Sequence, residues 1–69
     1  MHRYLIVIEK AYANDSAFSP DVPGCVATGT TREAVGREMN AALEMHLDGL
    51  RADGWPAPKP SASVGYVKI

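Results

Sequence analysis

Four acidic side chains in the first half of the chain are the residues best suited to chemistry. They are Glu9, Asp15, Asp21 and Glu33. Carboxylates that converge on two divalent cations are the basis of metal-dependent nuclease sites. Glu33, however, also suits the first turn of a helix, and Asp15 suits a turn between strands. Because these structural roles are sufficient, the sequence predicts no metal site and no cofactor.

A cysteine and a histidine are the remaining candidates for nucleophilic or acid–base catalysis. Cys25 lies in a short apolar run, where a thiol behaves as a small buried hydrophobe. His46 lies on an apolar helix stripe, and no residue three or four positions away can share a metal ion or a proton with it. The sequence therefore predicts no catalytic residues and a protein that is not an enzyme.

Binding is better supported, by a stiff turn and by the single tryptophan. Pro20 and Pro23 restrict the backbone on either side of Asp21, and the glycine that follows can adopt positive φ. The turn is either only a hairpin connection or also a preorganised contact surface that loses little entropy on binding. Trp55 either packs on the helix end or anchors an interface, as tryptophan often does. The predicted partner-binding residues are Pro20, Asp21, Pro23 and Trp55.

Three short strands are predicted ahead of any helix. Residues 4–8 form a β-branched run that suits a strand covered on both faces. Residues 13–16 have turn chemistry, and residues 17–19 and 24–28 form the second and third strands around the proline turn. The three strands are expected to pair as an antiparallel meander.

One helix and a fourth strand complete the predicted order βββαβ. Thr30 and Glu33 have the spacing of a capping box at the helix start, and Gly54 suits its left-handed end. The apolar stripe of the helix comprises Val35, Met39, Ala42, Leu43, His46, Leu47 and Leu50. A proline-rich connector over residues 55–61 leads to a predicted fourth strand over residues 63–69. The fold class is α+β.

Length and charge limit the remaining possibilities. A chain of 69 residues forms one domain, 1–69, with a marginal core, and its single cysteine excludes an internal disulfide. Self-association is then the expected source of stability, so we predict a homo-oligomer. The chain has seven basic and eight acidic residues, and the basic residues are scattered along it. The absence of a basic stripe argues against direct nucleic-acid binding. Residues 4–8 are too few for a signal peptide or a membrane span, which predicts a cytoplasmic protein.

Several of these segments together resemble the HicB-like antitoxin family of toxin–antitoxin systems. The turn at residues 20–25 reads PDVPGC and is followed by TGTT at residues 28–31 and by EA at residues 33–34. The resemblance starts at the first predicted strand and extends to Gly54 and the PKPS segment at residues 58–61. Each piece is weak alone, and the combination is specific.

The resemblance implies a fold and a function. It implies a degraded ribonuclease-H-like fold without catalytic carboxylates, in a protein that neutralises a small HicA-type mRNA-cleaving toxin by covering its active site. Many members also carry a C-terminal DNA-binding segment. No second helical pattern follows residue 69, so that role is not expected here.

Two other functions stay open at this point. One is a minimal metal-dependent nuclease that uses Glu9, Asp15 and Asp21, and the other is a structural oligomer without a catalytic or inhibitory role. The existence of a cognate toxin, the number of subunits and any DNA-binding role supplied by another chain do not follow from the sequence.

Overall fold

Three strands and one helix form the part of the chain that the computed structural model describes, residues 3–69. The elements are β1 (Val7–Lys10), β2 (Asp15–Phe18), β3 (Val26–Gly29) and α1 (Arg32–Ala52). The strands form one antiparallel sheet in the order β1-β2-β3, and α1 packs against β3 and β2. The predicted α+β class and antiparallel meander are confirmed. Residues 1 and 2 of the predicted domain lie outside the described residues.

The register of the sheet separates a helix-facing row of side chains from an outward-facing row. The helix-facing row comprises Ile8, Ala17 and Ala27. The neighbouring row comprises Val7, Phe18 and Val26. Because successive side chains on a strand point to opposite faces, this second row lies on the face away from α1. Phe18 is 39% exposed and Val26 is 68% exposed, so the outer face carries an uncovered apolar row.

β1 lies further along the chain than the sequence predicted. It spans Val7–Lys10 instead of residues 4–8, because β2 ends at Phe18 and offers no ladder partner beyond it. Pro20 has no N–H, and the Ser19 hydroxyl instead donates to the Leu5 carbonyl at 3.0 Å. Residues 4–8, predicted as a strand covered on both faces, are all half-buried, whereas Glu9 and Lys10 of the observed strand are exposed.

The turn between β1 and β2 also differs from the prediction. The Ala11 N–H donates to the Asn14 carbonyl at 2.8 Å and closes the turn before Asp15. Asp15 and Ser16, predicted as turn residues, are the first two residues of β2. Their pairing with Lys10 and Glu9 supplies ladder hydrogen bonds that outweigh the local preference of short polar side chains for turns.

The helix starts one residue later than predicted. Thr31 is the N-cap, and its hydroxyl oxygen accepts from the Ala34 N–H at 3.0 Å. Glu33 is then the second helical residue, whereas a capping box needs the acid at the third. The prediction of Thr30 as cap is therefore wrong. Glu33 still lies in the first turn, where its negative charge interacts favourably with the helix dipole.

The helix is much longer than the sheet beneath it. Its 21 residues extend about 32 Å, whereas four-residue strands extend about 13 Å. Within the predicted stripe only Val35 and Met39 are fully buried, and the later members are half-buried. The buried core comprises Ala17, Val22, Cys25, Val35 and Met39. The core is therefore small and lies under the first half of α1.

The end of the helix matches the prediction, and the segment after the connector does not. Gly54 has a φ of +80°. Its N–H donates to Arg51, and the N–H of Trp55 donates to Leu50, which together form a Schellman motif. Residues 63–69, called the tail below, do not form the predicted fourth strand and are exposed throughout. A strand requires a pairing partner, and none of β1, β2 or β3 pairs with the tail. The described order is βββα.

Candidate partner-binding surface

A buried side chain and backbone hydrogen bonds fix the conformation of the proline turn. Val22 is fully buried, and its N–H donates to the Ser19 carbonyl at 3.2 Å, while its own carbonyl accepts from the Cys25 N–H at 3.3 Å. Gly24 has a φ of +83°, a conformation that glycine adopts without strain. Every third residue of this segment, namely Ser19, Val22 and Cys25, is buried, and Pro20 and Pro23 are exposed between them.

Asp21 binds a distant part of the same chain. Its carboxylate accepts from the Ser61 N–H at 3.1 Å, from the Ser61 hydroxyl at 2.9 Å and from the Ala62 N–H at 3.1 Å. We call this arrangement the clamp. It fastens the chain just ahead of the tail to the proline turn, so the Asp21 carboxylate is occupied within the protein.

The clamp also controls the charge of Asp21. Hydrogen bonds from the Ala62 N–H, then the Ser61 hydroxyl and N–H, hold the pKa of the Asp21 carboxyl below its usual value, against a smaller opposing effect of desolvation. Donors that bind the ionised form favour that form. Asp21 is consequently an anion that organises its own surroundings.

The connector, residues 55–61, joins the helix end to the clamp, in which Ser61 is its last residue, and it makes one further hydrogen bond to a distant part of the chain. The Tyr4 hydroxyl donates to the Pro58 carbonyl at 2.6 Å. Trp55, at the start of the connector, is 64% exposed. Trp55 and Ser61 are six positions apart, so their Cα atoms are at most about 20 Å from each other. Pro20, Pro23 and Trp55 are exposed, whereas the Asp21 carboxylate is held in the clamp.

An open groove lies between the start of the chain and the helix. Its volume is about 830 Å³. One wall is formed by Arg3, Tyr4 and Ile6, and most of the other by α1 residues that include Leu43 and Leu47. The groove exists because the N-terminal segment covers only part of the helix stripe that extends beyond the sheet.

The residues considered for catalysis are dispersed. Glu9 lies exposed on β1, Asp15 pairs with Lys10 and Gly29 across the sheet, and Asp21 is in the clamp. Within residues 3–69, no group of three or more His, Cys, Asp or Glu side chains is arranged to hold a metal ion. Cys25 is 4% exposed, which confirms its prediction as a buried residue, and burial raises the pKa of its thiol.

A small α+β domain with a rigid exposed turn, an exposed tryptophan and an apolar groove has the features of a protein-binding module. The comparison with protein families agrees. The model of the HicB-like antitoxins of bacterial toxin–antitoxin systems matches residues 4–68. The chain belongs to this family, and the family points to a non-enzymatic role. No helix within residues 3–69 is long and apolar enough to cross a membrane.

Two curated relatives are similar over nearly the whole chain. An uncharacterized 14.9 kDa protein from the rep-hol intergenic region of Haemophilus phage HP1 is 31% identical over 64 residues, which cover 93% of this chain and 48% of that protein. This chain thus spans about half the length of the phage protein. The UPF0150 protein ssr1765 of Synechocystis is 29% identical over 70 residues, covering all of this chain and 89% of that protein. No solved structure is significantly similar.

Sequence reasoning missed the clamp and the groove. Forty positions separate Asp21 from Ser61, so no local pattern links them. The repeated prolines before Ser61 indicated a stiff segment without indicating where that segment returns to the domain. The groove depends on how far α1 extends past the sheet, which the separate lengths of the elements alone do not determine.

Proposed function

We propose that this protein is the antitoxin of a toxin–antitoxin pair and neutralises a small HicA-type mRNA-cleaving toxin by covering its active site. The observation that carries the proposal is the family match over residues 4–68. Because the toxin acts on mRNA, the complex would form in the cytoplasm.

The surface around the clamp is the proposed contact with the toxin. Pro20 and Pro23 are exposed on a turn that Val22 anchors in the core, so binding would require little ordering of the backbone. Trp55 offers a large exposed ring of the kind that supplies binding energy in interfaces. In this proposal Asp21 positions the surface through the clamp.

The proposal includes a fold relationship and an assembly. The meander followed by a helix is compatible with a degraded ribonuclease-H-like domain, in which a fourth strand would complete the sheet. We further propose that the protein self-associates, since five buried residues form a small core.

Neutralisation can be measured by mRNA cleavage. A purified HicA-type toxin, taken from the adjacent reading frame if that frame encodes one, is incubated with a reporter mRNA, with and without the purified chain, and full-length mRNA is quantified. Full protection at stoichiometric amounts is expected. Undiminished cleavage by the toxin in the presence of folded protein would refute the function.

The contact surface is tested in the same assay. Trp55→Ala and the double variant Pro20→Ala/Pro23→Ala should require more protein for the same protection. Trp55→Ala should weaken binding by at least about 30-fold if the indole is a hot spot worth 2 kcal/mol or more. Met45→Ala is the matched control, since Met45 is an exposed apolar side chain, 76% accessible, on α1. Equal protection by all variants would retain the function and reject this surface.

A further inference from the structure

The tail is an apolar segment that contacts little of its own domain. Val64 is 60% exposed, Tyr66 94%, Val67 84% and Ile69 112%. All seven tail residues are exposed. β-branched and aromatic residues at this density favour a strand, yet a strand needs a neighbour. The tail therefore has the composition of a sheet strand without the sheet.

The shape of the protein reflects the uncovered tail and groove. The radius of gyration is 13.2 Å, whereas a compact domain of this length has about 11 Å. The accessible surface is 5602 Å², whereas a folded monomer of the same mass exposes about 4,200 Å². The excess is about 1,400 Å², and a standard interface buries about 800 Å² on each partner. The uncovered area is sufficient for a stable dimer.

The same chain has an acceptor for such a strand. Within residues 3–69, β1 pairs with β2 and with no other strand, so its other edge presents backbone N–H and C=O groups that have no strand partner. The groove is lined by Arg3, Tyr4 and Ile6, which directly precede β1 in the chain, and by residues of α1. An added strand would gain ladder hydrogen bonds along the edge and apolar contacts in the groove.

The tail also suits both faces of the sheet that it would extend. Side chains alternate along a strand, so Val64 and Tyr66 would point to one face and Val67 and Ile69 to the other. One pair would enter the groove beside the helix. The other would continue the outer apolar row beyond Val7, the member of that row on β1.

We propose that the tail of one copy adds as a fourth strand to the β1 edge of a second copy, and that the exchange is reciprocal. The clamp fixes where the tail leaves its own domain, and each copy carries both the donor and the acceptor. Two identical contacts then close a dimer about a two-fold axis. This inference rests on the proposed self-association and is independent of toxin binding.

The test combines molar mass with amide hydrogen exchange over a range of protein concentrations. Light scattering should show a dimer. In the dimer, alternate amides within residues 63–69, those whose N–H groups point toward β1, should exchange about tenfold or more slowly than an unstructured peptide. Dilution to the monomer should abolish that protection. Val64→Pro and Val67→Pro have opposite parity, so at least one removes a ladder N–H and should weaken dimerisation at least tenfold. Ser63→Ala is the matched control.

The other outcomes identify what has failed. A monomer at all concentrations would overturn both the self-association and the strand exchange. A dimer whose tail exchanges freely would retain the self-association and overturn the exchange. Tail protection that persists in the diluted monomer would show that the tail folds onto its own β1, and it would overturn the exchange as well. Protection that arises only on adding the toxin would assign the tail to the toxin instead.

Discussion

The carboxylate of Asp21 and the backbone and hydroxyl of Ser61 are joined by two hydrogen bonds, of 3.1 and 2.9 Å, across 40 positions of the chain. A third bond, from Ala62, completes the clamp. The proline turn and the base of the tail are therefore one structural unit, although the sequence separates them by a strand, a helix and a connector.

Removing the charge of Asp21 should release the base of the tail. In Asp21→Asn, a neutral amide replaces a carboxylate that accepts three hydrogen bonds, and charge-assisted bonds are the stronger kind. The amides of Ser61 and Ala62 should exchange faster, as measured by hydrogen exchange. Asp48→Asn is the matched control, because Asp48 pairs only locally with Arg51. Unchanged exchange at Ser61 in Asp21→Asn would show that the clamp does not hold the tail.

Acid should loosen the same contact. The pKa of Asp21 is lowered in the folded protein from its ordinary value of 3.8. A group with a depressed pKa contributes stability above that ordinary value, and the contribution is lost as pH falls through the folded pKa. NMR shifts of the Ser61 and Ala62 amides should therefore titrate below pH 3.8. The transition should be absent in Asp21→Asn, and a titration of these amides near neutral pH would contradict the assignment.

Two methionines on the same helix should differ sharply in how much they contribute to the free energy of unfolding. Met39 is fully buried and Met45 is 76% exposed. Met39→Ala should cost about 2–5 kcal/mol of unfolding free energy, which is close to the total that one small core supplies. Met45→Ala should change it by less than about 0.5 kcal/mol. Urea denaturation followed by circular dichroism measures both free energies. Similar midpoints for the two variants would contradict the burial of Met39 in the core.

Adjacent threonines provide a test of where the helix starts. Thr31→Ala removes the oxygen that accepts from the Ala34 N–H and should cost about 1 kcal/mol. Thr30→Ala should cost less than about 0.5 kcal/mol. If thermal or urea unfolding showed a larger loss of stability in Thr30→Ala than in Thr31→Ala, that result would support the capping box predicted from the sequence.

Two glycine-to-alanine changes should have opposite signs. A Cβ at Gly29 would lie 2.8 Å from the backbone nitrogen of Val35. The helix start would have to move, at a cost of about 1–3 kcal/mol. A Cβ at Gly49 meets nothing within 4 Å, and alanine in a helix gains about 0.5–1 kcal/mol over glycine. Unfolding midpoints that shift in the same direction for both variants would contradict the close packing of β3 on α1.

The parts of the fold that sequence predicted are those with local causes. The meander followed from apolar runs separated by turn residues, and the end of α1 followed from Gly54, whose positive φ the structure confirms. The N-cap is Thr31 and not Thr30. Which of the two adjacent threonines caps the helix depends on how the chain leaves β3 at Gly29. The sequence pattern does not contain that packing.

The candidate surface was predicted only in part. Pro20, Pro23 and Trp55 are exposed, as a contact surface requires, while their role stays a prediction. The internal use of Asp21 was not foreseeable, because its partners lie beyond the helix in the chain. The fourth strand depends on a partner edge, and a hydrophobic pattern indicates the propensity for a strand without specifying its neighbour.

The two long-range ties of the connector have a consequence for the kinetics of folding. The strand pairs and the helix close over short stretches of chain, whereas the Tyr4–Pro58 bond spans 54 positions. Local contacts form early because they close small loops, and distant ones pay a larger entropy cost. We expect the meander and α1 to assemble first and the connector to dock afterwards, so a nascent chain would acquire its proline turn before the segment that fastens to it.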